Sequence, residues 1–170
     1  KTQCLVINKR KRLNTYHWGN IQYYGEHHEK AVKEKKRFLM MYLTVQNINN
    51  TSNSHANVII HDLKSNDMYR YDPHGWGGKY ITMYDDIIKK IIKHDYKMHP
   101  GTVKLPTFRR KTYILERGPQ HYDRHATYAG RCFIWTIAFM HKVLESPNTH
   151  PTSIMKEIGG DEKVAAGFIK

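Results

Sequence analysis

Residues 132–140 read Cys-Phe-Ile-Trp-Thr-Ile-Ala-Phe-Met, which as a helix is apolar around its whole circumference apart from Thr136. A helix of that kind is buried on every side, so the rest of the fold is expected to be built around it. Gly130 and the polar tract before it mark its start, while Pro147 and Pro151 bound its far end. A short helix is expected to follow, from about 152 to 158. Cys132 then falls in the first turn of the central helix.

That position has chemical consequences. A thiol at a helix N-terminus feels unpaired amide donors and the positive end of the helix dipole, which bring cysteine pKa values below the usual ~8.5. The same amides can hold a developing oxyanion. Beside an apolar helix a cysteine is more often a small core residue, so the functional reading depends on partners. A thiolate nucleophile needs an imidazole, and the imidazole needs an orienting carboxylate.

The strands supply both. "FLMMYLTVQNI" (38–48) is apolar and β-prone and is expected to form a buried strand, with "NNTSNS" (49–54) supplying turn residues. "HANVIIHDL" (55–63), the turn "KSND" (64–67) and "MYRYD" (68–72) make a hairpin. His55 opens the first arm and Asp72, 17 residues on, closes the second, so antiparallel pairing sets them side by side. His61 shares the alternation of His55 but sits at the turn end, away from Asp72. "PHGWGG" (73–78) breaks the ladder. "YDDIIKKIIKHDY" (84–96) places apolar residues at 87, 88, 91 and 92, a helical spacing with a basic outer face. "TYILE" (112–116) is expected to be a further strand, leading to a loop in which Gln120 follows Gly118-Pro119.

Length and composition bound the class. At 170 residues the chain suits one domain spanning 1–170, able to close a core without disulfides or metals. Cys4 and Cys132 make no framework, so both are expected to be free thiols in a reducing, intracellular compartment. No segment approaches the ~20 apolar residues of a membrane span, and "KTQCLVINKRKR" lacks the pattern of a secretory leader. A soluble, unsecreted protein without a membrane partner is expected.

Twenty-eight Lys and Arg against fifteen Asp and Glu give a formal charge of +13. Part of it clusters at Lys9, Arg10, Lys11 and Arg12, and again at Lys33, Lys35, Lys36 and Arg37. Such clusters attract polyanions, nucleic acid above all. A solvated basic surface is the alternative.

A histidine opening one strand, an acid closing the next as "YDPHG", then "GPQ" and "GRCFIW" resemble, in that order, the Ulp/SENP and adenovirus-protease superfamily of cysteine proteases. The local forms are most similar to those carried by large DNA viruses, and the resemblance covers roughly residues 38–158. It implies an α+β fold, with a mixed, mostly antiparallel central sheet packed against helices and the cysteine at the N-terminus of the central one. It implies Cys132 as nucleophile, His55 as general base, Asp72 as its orienting acid, and Gln120 with the Cys132 amide as oxyanion hole. The implied substrate is a protein cut after small, Gly-containing sequences, a viral polyprotein or capsid precursor, or alternatively a ubiquitin-like conjugate.

The implied enzyme is monomeric and needs no cofactor for its chemistry, with DNA, another polyanion or a peptide as an activator. The chain departs from the pattern at Ala56, where a Trp is common, in the twelve residues from Gln120 to Cys132, and in Arg131 and Phe133 flanking the cysteine. These departures set it apart from the cellular SUMO proteases.

Three other classes compete. Acetyltransferases of the Yop type resemble the same fold and triad. A zinc hydrolase is suggested by His121 and His125, four apart, but Tyr122 stands where such sites carry the Glu base. A basic nucleic-acid-binding protein without catalysis would explain the charge and leave the cysteine, histidine and acid without purpose.

Overall fold

The computed structural model describes residues 3–7, 17–19, 24–47, 50–75, 85, 86, 88–90, 92, 93, 105–108, 118–122 and 131–159. The expected strand at 112–116, Gly130, Ile87, Ile91 and the basic run 9–12 lie outside them.

The chain folds as α+β. Among the described residues six strands form one sheet: β1 (Gln3–Ile7), β2 (His17–Gly19), β3 (Phe38–Asn47), β4 (Asn50–Asp62), β5 (Asp67–Tyr71) and β6 (Thr107–Phe108), in spatial order β2-β1-β3-β4-β5-β6. The pairs β1/β2, β3/β4 and β4/β5 are antiparallel, while β1/β3 and β5/β6 are parallel. The sheet is therefore mixed and mostly antiparallel. The helices are α1 (Tyr24–Lys33), α2 (Pro119–Tyr122), α3 (Arg131–Glu145) and α4 (Pro151–Gly159); the described residues between 85 and 93 are helical too.

The β4–β5 hairpin owes its register to its turn. Asn66 takes a left-handed φ of 57°, which asparagine tolerates better than most residues, and the Lys64 amide donates to Asp62 Oδ1 at 3.0 Å. Pairing then runs from Asp62↔Asp67 to Val58↔Tyr71. On one face Val58, Ile60, Tyr69 and Tyr71 meet Trp135, Phe139 and Val143 of α3 and Ile154, Met155 and Ile158 of α4. Tyr71 and Phe139 stack with ring centroids 4.1 Å apart. On the other face His61 meets Tyr24 of α1, and Arg70 meets Asp85. Helices on both faces are why β4 is buried without alternation from Ala56 to Asp62 and β5 from Met68 to Tyr71.

Two expectations are corrected. Asn50–Ser54 do not form a turn; they extend β4, with Ser54 opposite Gln46 across a register shift at Gln46/Asn47. Nor is α3 buried all round. Cys132, Trp135, Thr136, Phe139 and Val143 face inward, but Phe133, Ile134, Ile137 and Leu144 are exposed. The helix lies on a sheet face, so only the strip toward the sheet and α4 is covered. Among the described residues no helix is long and apolar enough to cross a membrane.

Candidate active site

Cys132 sits in the first turn of α3, 7% exposed, with a free thiol. Thr136, the one polar residue in the apolar run, fixes that end of the helix to the sheet: its hydroxyl donates to the Ala56 carbonyl at 3.3 Å. The Ala56 amide in turn donates to the Cys132 sulfur, as does the amide of Phe133. Ala56, 3% exposed, is small enough to let strand and helix approach this closely.

The hairpin delivers the other two groups. His55 Nε2 donates to Asp72 Oδ1 at 2.7 Å. With Nε2 so engaged, Nδ1 is left for the hydrogen bond that His55 makes to the Cys132 thiol. Cys132, His55 and Asp72 thus form one hydrogen-bonded line from helix to strand to turn.

Electrostatics charge this line. Burial works against a charged His55, yet the charge and hydrogen bond of Asp72 and the contact with Cys132 outweigh it and raise its pKa to about 9. Burial likewise opposes ionisation of Cys132, but the His55 hydrogen bond, the Ala56 amide, the His55 charge and the Phe133 amide lower it. Both shifts act in the direction of a thiolate–imidazolium pair. Burial would neutralise Asp72; the charge and hydrogen bond of His55, the Arg70 charge and the His74 amide instead hold it at about 2.

Behind Asp72 lies Arg70, fully buried, donating from Nη1 to Asp72 Oδ2 (2.9 Å) and Asn57 Oδ1 (2.7 Å), and from Nε to Asp85 Oδ1 (2.6 Å). A buried charge without such partners would cost several kcal/mol, on the order of the desolvation penalty per ion. Arg70 thereby turns one Asp72 oxygen inward and leaves the other for His55.

Gln120 lies in α2, a four-residue helix and not the expected loop. It is buried, with Oε1 unpartnered, and α2 packs against α3. Two glycines hold α2 there. A Cβ on Gly118 would lie 2.3 Å from the Pro73 carbonyl oxygen, and one on Gly159 would lie 2.6 Å from the Pro119 ring. The Gly118 and Gln120 amides donate to the carbonyls of His74 (3.0 Å) and Pro73 (2.9 Å), so α2 is bonded to the turn that carries Asp72.

The other sequence candidates scatter. Lys33, Lys35 and Lys36 are exposed after and at the end of α1. Arg37 is not free for a polyanion as expected: it donates to Asp62 Oδ2 at 3.1 Å and to the Pro147 carbonyl, and lies over the Phe38 ring. His61 is a core group, accepting from Tyr24 at 2.6 Å and donating to Asn66 at 2.9 Å. His125 lies outside the described residues, and among those residues no cluster of three His, Cys, Asp or Glu could hold a metal.

Sequence reasoning missed Arg70, His74 and Tyr42. Arg70 shares its strand face with Asp72 by two-residue alternation, a signal that was available. The His74 ring lies against that of His55, tilted by 38° with ring centroids 4.6 Å apart. Tyr42 meets Phe133 edge-on at 5.8 Å, and its pKa is raised by burial and by the Cys132 charge, against a hydrogen bond to Thr44. A scan against protein-family models finds no match, and no curated protein matches the chain.

Proposed function

We propose that this protein is a cysteine protease of the Ulp/adenovirus-protease type. The observation that carries the reading is the hydrogen-bonded line Cys132–His55–Asp72, with Cys132 at a helix N-terminus and two backbone amides on its sulfur. The Cys132 thiolate attacks the substrate carbonyl carbon and a C–S bond forms. The oxyanion is held by the Cys132 amide and by the side-chain amide N–H of Gln120, a buried residue of α2. His55 gives its proton to the leaving nitrogen as the C–N bond breaks. It then takes a proton from water, which attacks the thioester, releases the acid and restores the thiolate.

The substrate is a protein cut after a small, Gly-containing sequence. A viral polyprotein or capsid precursor is the leading candidate, and an isopeptide-linked ubiquitin-like protein the alternative. The chemistry needs no cofactor. The exposed Lys33, Lys35 and Lys36 give a polyanion a place to bind and activate the enzyme.

A Gly-Gly peptide ending in a vinyl sulfone tests the reading. The probe is expected to label Cys132 in the wild type, seen by peptide mass spectrometry, and to leave His55→Ala unlabelled. Labelling of both proteins at equal rates would contradict it, as would no labelling of either by this or any Ala-Gly analogue.

A further inference from the structure

His74 touches three parts of the candidate site at once. Its ring lies with its centroid 4.6 Å from that of His55, tilted by 38°. Its backbone amide donates at 2.9 Å to Asp72 Oδ1, the oxygen that also accepts from His55. Its carbonyl accepts from Gly118, two residues before Gln120. The side chain itself is exposed.

His55 has need of such a neighbour. Its Nε2 must point at Asp72 while the other edge of the ring meets Cys132, so one ring plane has to satisfy two partners on different elements. Hydrogen bonds weaken steeply once their angle falls toward ~120°, and rotation about the Cβ–Cγ bond spoils both together. The His55 side chain is 22% exposed, so the core does not enclose it fully. A ring packed at this distance supplies a directional contact that resists rotation.

We propose that His74 is a positioning residue for His55: its ring packs on the imidazole and holds it in the plane that serves Asp72 and Cys132 together. The inference rests on the cysteine-protease reading above. The role belongs to the planar ring and not to its charge. Among the described residues, the ionisable groups facing His55 are Asp72 and His74 from the turn after β5 and Cys132 from α3, with Arg70 behind Asp72. Changing His74 to an uncharged ring therefore leaves the Asp72 charge and the Cys132 contact that raise His55. The Asp72 hydrogen bond survives as well, because any residue but proline keeps the backbone amide.

The test follows iodoacetamide alkylation of Cys132 by mass spectrometry from pH 5 to 9 in the wild type, His74→Ala, His74→Phe and His55→Ala, with a thermal melt of each. His74→Ala is expected to alkylate about tenfold more slowly below pH 7. His74→Phe is expected to stay within about twofold of the wild type, and both His74 variants to melt as the wild type does. Wild-type rates in His74→Ala would overturn the proposal, and so would His74→Phe as slow as His74→Ala. A wild-type Cys132 no faster than in His55→Ala would instead overturn the underlying reading, and this inference with it.

Discussion

Arg70 and Asp72, two residues apart, form a buried ion pair in which Nη1 donates to Oδ2 at 2.9 Å with side chains 0% and 2% exposed. The pair orients the carboxylate that His55 uses. Replacing Arg70 by Met strips the buried carboxylates of Asp72 and Asp85 of their shared cation. A loss of about 3–5 kcal/mol in folding free energy is expected, measurable as a lower urea midpoint.

Asp72→Asn keeps the shape of the acid and removes its charge. His55 then loses the largest influence raising its pKa, so its imidazolium gives up its proton at a lower pH than about 9. The alkaline limb of the pH–rate profile for Cys132 should shift downward, and hydrolysis of a Gly-Gly peptide substrate should fall by about a hundredfold or more. An unchanged alkaline limb would mean that Asp72 does not set the state of His55.

Thr136→Val isolates the clamp between helix and strand. The substitution is close to isosteric but leaves the buried Ala56 carbonyl without its hydroxyl donor. A cost of about 1–3 kcal/mol follows. Because Ala56 also gives its amide to the sulfur, Cys132 alkylation at neutral pH should slow in the same variant. A variant that is less stable but equally reactive would separate the clamp from the site.

His61 governs acid stability. Burial, opposed by its hydrogen bond to Asn66, lowers its pKa from 6.5 to about 4. The unfolded chain binds this proton first, so stability is lost as pH falls from 6.5 toward 4. Between pH 7 and 5 the loss from this one group is about 2 kcal/mol. Urea denaturation at the two pH values should show it, and His61→Asn should flatten the difference.

The hairpin was legible because its signals are local: two short apolar strands, a polar turn with Asn66, and chemical groups at its open ends. So was the entry of Cys132 into a helix, marked by glycine and polar residues before an apolar run. The errors lie where tertiary contacts override local signals. Asn50–Ser54 carry turn composition yet lie in β4, where Ser54 pairs with Gln46 and, across a register shift, Asn50 pairs with Asn47. Phe133, Ile134 and Ile137 are as apolar as Trp135, and only the position of the sheet decides which side is covered. Arg70 reads as a surface residue until Asp72, Asp85 and Asn57 are assembled around it. β1 and β2 were hidden in a strongly basic segment.

The central claim is that His55 makes Cys132 a thiolate at neutral pH. Alkylation of the folded protein by iodoacetamide from pH 5 to 9, wild type against His55→Ala, tests it without knowledge of a substrate. The account predicts a wild-type Cys132 that reacts far faster than its His55→Ala counterpart below about pH 7, with the difference closing as pH approaches the ordinary thiol range near ~8.5. Equal rates in the two proteins across the whole range would contradict it.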